Sequence, residues 1–253
     1  MQKKVVNNFV YGNHTRIFVN TNLGCNAKCS YCYLPLLNVD SEQKKSANDV
    51  IDLVEKSKYY VAGERGSLIS IGCYSECMEP DNQEETSKLV NYFLKRGNYV
   101  QLATKRRIPE KFFSGLDVLN SASKKLWIYV SMPTISKSKE IEKGTTSPIK
   151  RIENFALCKK YNINCVLYIK PYLGKNTEND LEEYIKIIRY YNVPVVVGGL
   201  LKVTDGNSQT LVGEGRLTEN NTKQLEHFME KLSKYTKVYL HSYECIEIGG
   251  NNR

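Results

Sequence analysis

Three cysteines stand at positions 25, 29 and 32, inside the segment TNLGCNAKCSYCYLP that runs from Thr21 to Pro35. The spacing C-x3-C-x2-C puts three thiols on one short loop. Three thiolates can hold three irons of a cubane [4Fe–4S] cluster, one each, leaving the fourth iron open to another ligand. A tetrahedral zinc site needs a fourth protein ligand nearby. His14 is the only close histidine, and it lies on the far side of the apolar strand that leads into the loop.

Five further cysteines fall at 73, 77, 158, 165 and 245. A disulfide scaffold would be shorter and denser in cysteine, whereas clustered cysteines in a chain of 253 residues point to metal binding or chemistry. Cys158 sits in a helical pattern and Cys165 leads an apolar strand, so both read as small buried hydrophobes. Cys73 follows an apolar strand directly. It is open to three readings: a reactive thiol, a packed side chain, or a ligand of a second metal with Cys77 and Cys245.

These residues need a frame, and the hydropathy pattern supplies one. Apolar strands are expected at 16–20, 67–71, 99–103, 126–131, 165–169, 194–197 and 238–241. Helices are expected between them at 46–62, 84–95, 108–122, 148–161, 178–191 and 222–233. Six successive βα units imply a parallel sheet with right-handed crossovers. Six are too few to close an eight-fold barrel, so the expected fold is α/β, a partial open (β/α)6 barrel. Loops after the strand C-termini build the site in such folds, and the cysteine loop follows strand one. One domain is expected over 1–253, with its core at about 15–200 and a lid or substrate-binding extension at 201–253. The longest irregular stretch is 198–216.

The cysteine motif after strand one, with aromatic Tyr31 before the last cysteine, resembles the radical S-adenosylmethionine (radical SAM) superfamily. That resemblance implies a radical SAM barrel. It also implies that the methionine amino and carboxylate groups of S-adenosylmethionine chelate the open iron. One electron, from an external donor of flavodoxin or ferredoxin type, would then yield a 5′-deoxyadenosyl radical. Within the superfamily the chain is similar to the spore photoproduct lyase family from Thr21 to about Gly199. Cys32-Tyr33-Leu34-Pro35 matches its C-Y-L continuation, and Cys73-Tyr74-Ser75-Glu76 takes the place of its Cys-x-Ser-Asp segment. Thr104-Lys105, Ser131 and Pro171 match its features after strands three, four and five.

The resemblance implies that Cys73 gives a hydrogen atom to a product radical and that Tyr31 and Tyr33 relay it. Lys105 can meet the cofactor carboxylate, Ser131 a ribose hydroxyl, and Ser75 with Glu76 the amino group. Arg151 opens the fourth helix and faces either a carboxylate, as a further cofactor contact, or solvent. Only 24 residues precede Cys25, and 198–253 gives no match to lesion-binding elements. A DNA lesion and a peptide, tRNA or metabolite are therefore both carried forward as substrates, beside a non-catalytic metal- or nucleic-acid-binding module.

The formal net charge is +9, and the stretch 95–160 carries the excess. Such a field either attracts nucleic acid or is a solvated lysine-rich surface. Hydrophobic residues at 41% and charged residues at 25% suit a globular protein. The first ten residues lack the apolar core of a signal peptide, and no apolar run approaches the ~20 residues of a membrane span, so a cytoplasmic location is expected.

Overall fold

A computed structural model describes residues 9–37, 39, 43–117, 122–199, 203–204, 209–210 and 222–246. Its centre is an eight-stranded sheet whose spatial order follows chain order. The strands are β1 (Val10–Gly12), β2 (Arg16–Val19), β3 (Leu68–Ile71), β4 (Val100–Thr104), β5 (Leu126–Ser131), β6 (Asn164–Ile169), β7 (Val195–Val197) and β8 (Val238–Tyr239). β1 runs antiparallel to β2, and β2 to β8 are parallel throughout. The helices α1 (Ala47–Glu55), α2 (Gln83–Lys95), α3 (Glu110–Ser114), α4 (Pro148–Lys160), α5 (Leu181–Tyr191) and α6 (Thr222–Ser233) fall one between each pair of parallel strands. The architecture is the open (β/α)6 arrangement, completed by a seventh parallel strand and edged by β1.

Alternation along the strands separates two cores. Ile17, Val19, Ile69, Leu102, Ile128, Val130, Leu167 and Val195 face the helices and join the main core. The opposite faces of β5, β6 and β7 present Tyr129, Val166 and Val196, which pack with Cys245 in a smaller cluster. Cys245 belongs to a 3-10 turn, Ser242–Cys245, that follows β8 and reaches beneath the sheet's concave side. There the Tyr129 hydroxyl donates to the Ser242 carbonyl. The concave side therefore has a built floor.

Three helices depart from their expected lengths, each because side chains capture backbone groups. α1 starts where Ser46 accepts the Asp49 N–H, but ends at Glu55 rather than 62. Beyond it the Val61 N–H goes to Ser67 Oγ (3.0 Å) and the Val61 carbonyl accepts from Asn98 (2.9 Å). α3 stops at Ser114, where Asn91 takes both the Gly115 carbonyl and the Asp117 N–H; the last part of the expected helix lies outside the described residues. The expected 178–191 helix splits into a turn, Lys175–Glu178, and α5. Buried Asp180 is drawn out of line by the Thr134 hydroxyl and the Ile135 and Ser136 N–H groups.

Most of the 198–216 lid expectation lies outside the described residues; within it Val203–Thr204 pairs antiparallel with Gln209–Thr210. Among the described residues no helix is long and apolar enough to cross a membrane. The basic stretch is not a bare face, because many of its cations meet carboxylates. Arg107 pairs with Glu153, Arg106 with Glu79, Lys95 with Asp117 and Lys160 with Glu110.

Candidate active site

Strand C-termini and the loops that leave them enclose a cavity of about 520 Å³. Cys25, Cys29 and Cys32 line one wall, Ser75 and Glu76 another, and Lys105 and Ser131 stand at the ends of β4 and β5. Cys73, Tyr31 and Tyr33 also reach this cavity. Every site residue expected from the sequence is thus brought together here except Arg151.

The cysteine loop is held from outside by the segment after β5. The Ser30 N–H donates to the Ile141 carbonyl (2.9 Å), Cys29 bridges Glu142, and the Gly144 N–H donates to the Ala27 carbonyl (2.8 Å). Burial pushes the Cys25 thiol up to about 11 and raises Cys29, where the Lys105 charge pulls the other way. Iron binding demands thiolates, so loading the site would release these protons. Among the described residues no three His, Cys, Asp or Glu side chains converge on the position of a single metal ion. A cubane asks for less, since each thiolate takes a different iron. Cys77 is fully buried in the main core and Cys245 in the smaller one, while Cys73 faces the cavity. The second metal site weighed for these three cysteines is corrected accordingly: among the described residues they do not converge on one metal position.

Arg151 meets a carboxylate, but the protein's own rather than a cofactor's. It is neither a surface cation nor a wall of the cavity; it is wholly buried, and the carboxylate it faces is Glu142, with Nη1 2.8 Å from Oε2. Its remaining donors go to the Thr146 carbonyl (2.6 Å), the Ser131 carbonyl (2.7 Å) and the Thr145 hydroxyl. The other oxygen of Glu142 accepts from the Tyr31 hydroxyl. The Tyr31 hydroxyl is thus engaged by a buried carboxylate while its ring lines the cavity. Its ring lies 5.6 Å from Lys105 Nζ, where it supports the cation. Breaking a buried pair leaves an uncompensated charge, so Arg151→Met should cost about 3–5 kcal/mol in urea denaturation. Adding Glu142→Gln should recover part of that loss. A cost under about 1 kcal/mol would contradict this role.

Glu76 ties two loops together. One oxygen accepts from the Thr104 hydroxyl and the Met78 N–H (3.1 Å), the other from the Lys105 N–H (2.8 Å). The carboxylate thus fixes the backbone from which the Lys105 ammonium extends. Gly72, at φ +84°, makes the turn from β3 to Cys73; a Cβ there would come within 2.9 Å of Cys77 Cβ. The Tyr33 hydroxyl donates to the Cys73 carbonyl. Burial raises the Cys73 thiol and keeps it protonated at neutral pH, although the Arg16 charge, the Tyr11 hydroxyl and the Lys170 charge act against this. Tyr11, stacked 4.7 Å from Phe18 and 4.8 Å from Tyr74, is a neighbour of this thiol that the sequence does not single out. It comes from the three-residue strand β1, too short for any periodicity to reveal. Arg16 and Lys170 are two more cavity residues that the sequence does not single out, although the strands beside them are expected.

The hydroxyls of Ser75 and Ser131 are enclosed and hydrogen-bond to nothing among the described residues. Buried hydroxyls are rarely left so, and both belong to the cavity lining. Polar atoms waiting in a cavity beside three cysteines and a lysine fit a polar ligand of the S-adenosylmethionine kind.

Comparison with known structures bears on this arrangement. The structure superposes on spore photoproduct lyase complexed with dinucleoside spore photoproduct with a TM-score of 0.66, at 11% identity, over 93% of this chain and 80% of that one. The chain has the radical SAM fold. It also matches Streptococcus suis SuiB bound to S-adenosylmethionine (TM-score 0.64, 14% identity, 92% of this chain and 53% of that one). SuiB bound to precursor peptide SuiA gives 0.66 at 14% identity, over 89% and 48%. The chain spans about half the length of SuiB. No protein-family model matches the chain, and no curated protein does. In the radical SAM fold of this chain, the three cysteines occupy the loop after β2, the first strand of the parallel run.

Proposed function

We propose that this protein is a radical SAM enzyme that abstracts hydrogen from its substrate by chemistry of the spore photoproduct lyase kind. The observation that carries the reading is the convergence, in one cavity, of three loop cysteines, the Lys105 ammonium and two unpartnered serine hydroxyls. Cys25, Cys29 and Cys32 would hold a [4Fe–4S] cluster. When bound, that cluster would supply the electron, drawn from a flavodoxin- or ferredoxin-type donor, that breaks the C–S bond of S-adenosylmethionine to give methionine and a 5′-deoxyadenosyl radical.

The chain's own residues do the rest. Lys105, steadied by Glu76 through its backbone and by the Tyr31 ring, meets the cofactor carboxylate. The Ser75 hydroxyl takes the amino group and the Ser131 hydroxyl a ribose hydroxyl. Cys73, kept as a thiol by burial, stands ready to give a hydrogen atom to a product radical, with Tyr33 held against its backbone. A thymine-dimer-type lesion in DNA suits this donor, and the likeness to a lesion-bound lyase supports it. A peptide is the second substrate reading, supported by the likeness to a peptide-bound neighbour.

Cofactor affinity tests the assignment. Lys105→Ala removes a charge-assisted contact and should weaken S-adenosylmethionine binding by about 1.5–3 kcal/mol in equilibrium dialysis, with Ser131→Ala weakening it less. Unchanged affinity in Lys105→Ala would take the β4 loop out of the cofactor site.

A further inference from the structure

The cofactor brings one carboxylate to the cavity, and Lys105 is placed to meet it. Two more cations line the same space with no such assignment. Arg16, the first residue of β2, runs up the concave side of the sheet with its guanidinium 4.4 Å from the Phe18 ring. Its Nε donates to Ser70 Oγ (2.7 Å) and its Nη2 to Ser242 Oγ (3.3 Å). Gln101 supports the same two hydroxyls, at 2.9 and 3.5 Å, while its own carbonyl oxygen stays without a donor among the described residues. Lys170, just past β6, enters the cavity from the other side, with its stem lying over Gly198. A Cβ at Gly198 would come within 2.8 Å of Lys170 Cδ, so the missing side chain makes room for the lysine.

Among the described residues neither cation is paired with a carboxylate. Among the described residues Glu76 is the one acid lining the cavity, and its oxygens are taken by Thr104, Met78 and the Lys105 backbone. Two like charges held near each other in an enclosed, low-dielectric space raise each other's cost. Burial and the Arg16 charge both lower the Lys170 ammonium from its ordinary value. An anion between them would relieve that cost, and the cofactor's own carboxylate is already placed.

We propose that Arg16 and Lys170 form a subsite for an oxyanion of the substrate, a carboxylate or phosphate, on the floor of the cavity beside Cys73. The inference rests on the enzyme reading above and adds the substrate's chemical class to it. The Ser242–Cys245 turn lies beneath this part of the concave side, so an anion held by Arg16 and Lys170 would sit at the deep end of the cavity. Arg16, Lys170 and Cys73 line the same cavity, so an anion gripped by the two cations would set the substrate's next carbons near the hydrogen donor.

The test uses the cluster-loaded protein with S-adenosylmethionine bound. Inorganic phosphate is titrated by its 31P line width and acetate by saturation-transfer NMR. At least one should bind saturably, and the tighter of the two names the source of the oxyanion. Lys170→Met should weaken that binding at least tenfold, Lys170→Arg should keep it, and Gly198→Ala, which displaces the lysine stem, should weaken it. Iron content and S-adenosylmethionine affinity should hold in all three variants. Absence of saturable binding by either anion, or full binding by Lys170→Met, overturns the subsite. Binding that depends on Lys170 in a protein unable to hold cluster or cofactor would keep the subsite and overturn the enzyme reading instead.

Discussion

Replacing Cys25, Cys29 or Cys32 with alanine should take the reconstituted protein from about four irons to nearly none, with loss of visible absorbance and of all cofactor cleavage. A cubane on three thiolates has no spare protein ligand, so one loss is enough. The fold should survive, because the three side chains are only partly buried at the cavity wall. Circular dichroism of the apo variants should match that of the apo parent. Cys77→Ala is the natural control. That residue is fully buried in the main core, so its loss should leave the iron in place and cost stability of order 1 kcal/mol. Iron retained in a Cys29→Ala protein, or lost in Cys77→Ala, would misplace the cluster.

Cys73→Ala should give the second large effect, a change of product rather than a loss of rate. The variant keeps the three cluster cysteines and the Lys105 contact, so cofactor cleavage and the first hydrogen abstraction should proceed. What it lacks is the S–H bond, weaker than C–H, that quenches the product radical. That radical should divert into side products, visible by mass spectrometry of the reaction mixture, while iron content stays at the parent level. If Cys73 were merely packed, the same change would leave the product normal. Normal product with normal iron would end the donor role.

Much of the parallel sheet was legible in the sequence, because runs rich in aromatic and β-branched residues such as LWIYVS at 126–131 leave little choice of element. The cysteine loop was legible too, since three thiols at fixed spacing carry their chemistry with them. Helix ends were not, for tertiary reasons: Asn98 and Ser67 draw off the backbone beyond α1, and Asp180 breaks the helix before α5. Arg151 shows the limit most clearly. Its position at the start of α4 leaves a carboxylate partner and a solvent-facing role equally open. Only the fold brings Glu142 from the neighbouring loop against it, and with it the hydroxyl of Tyr31. Tyr11, Arg16 and Lys170 escaped for a related reason: single residues from β1, β2 and the end of β6 carry no local pattern, and their meaning lies in the cavity they share.

The central claim is that this cavity holds a cubane cluster and works through it on S-adenosylmethionine. The most direct test is anaerobic reconstitution of the parent protein, followed by dithionite reduction and addition of S-adenosylmethionine. The account predicts about four irons and four sulfides per chain and release of 5′-deoxyadenosine with methionine. A protein that takes up zinc or no metal, and yields no 5′-deoxyadenosine after reduction, would contradict it.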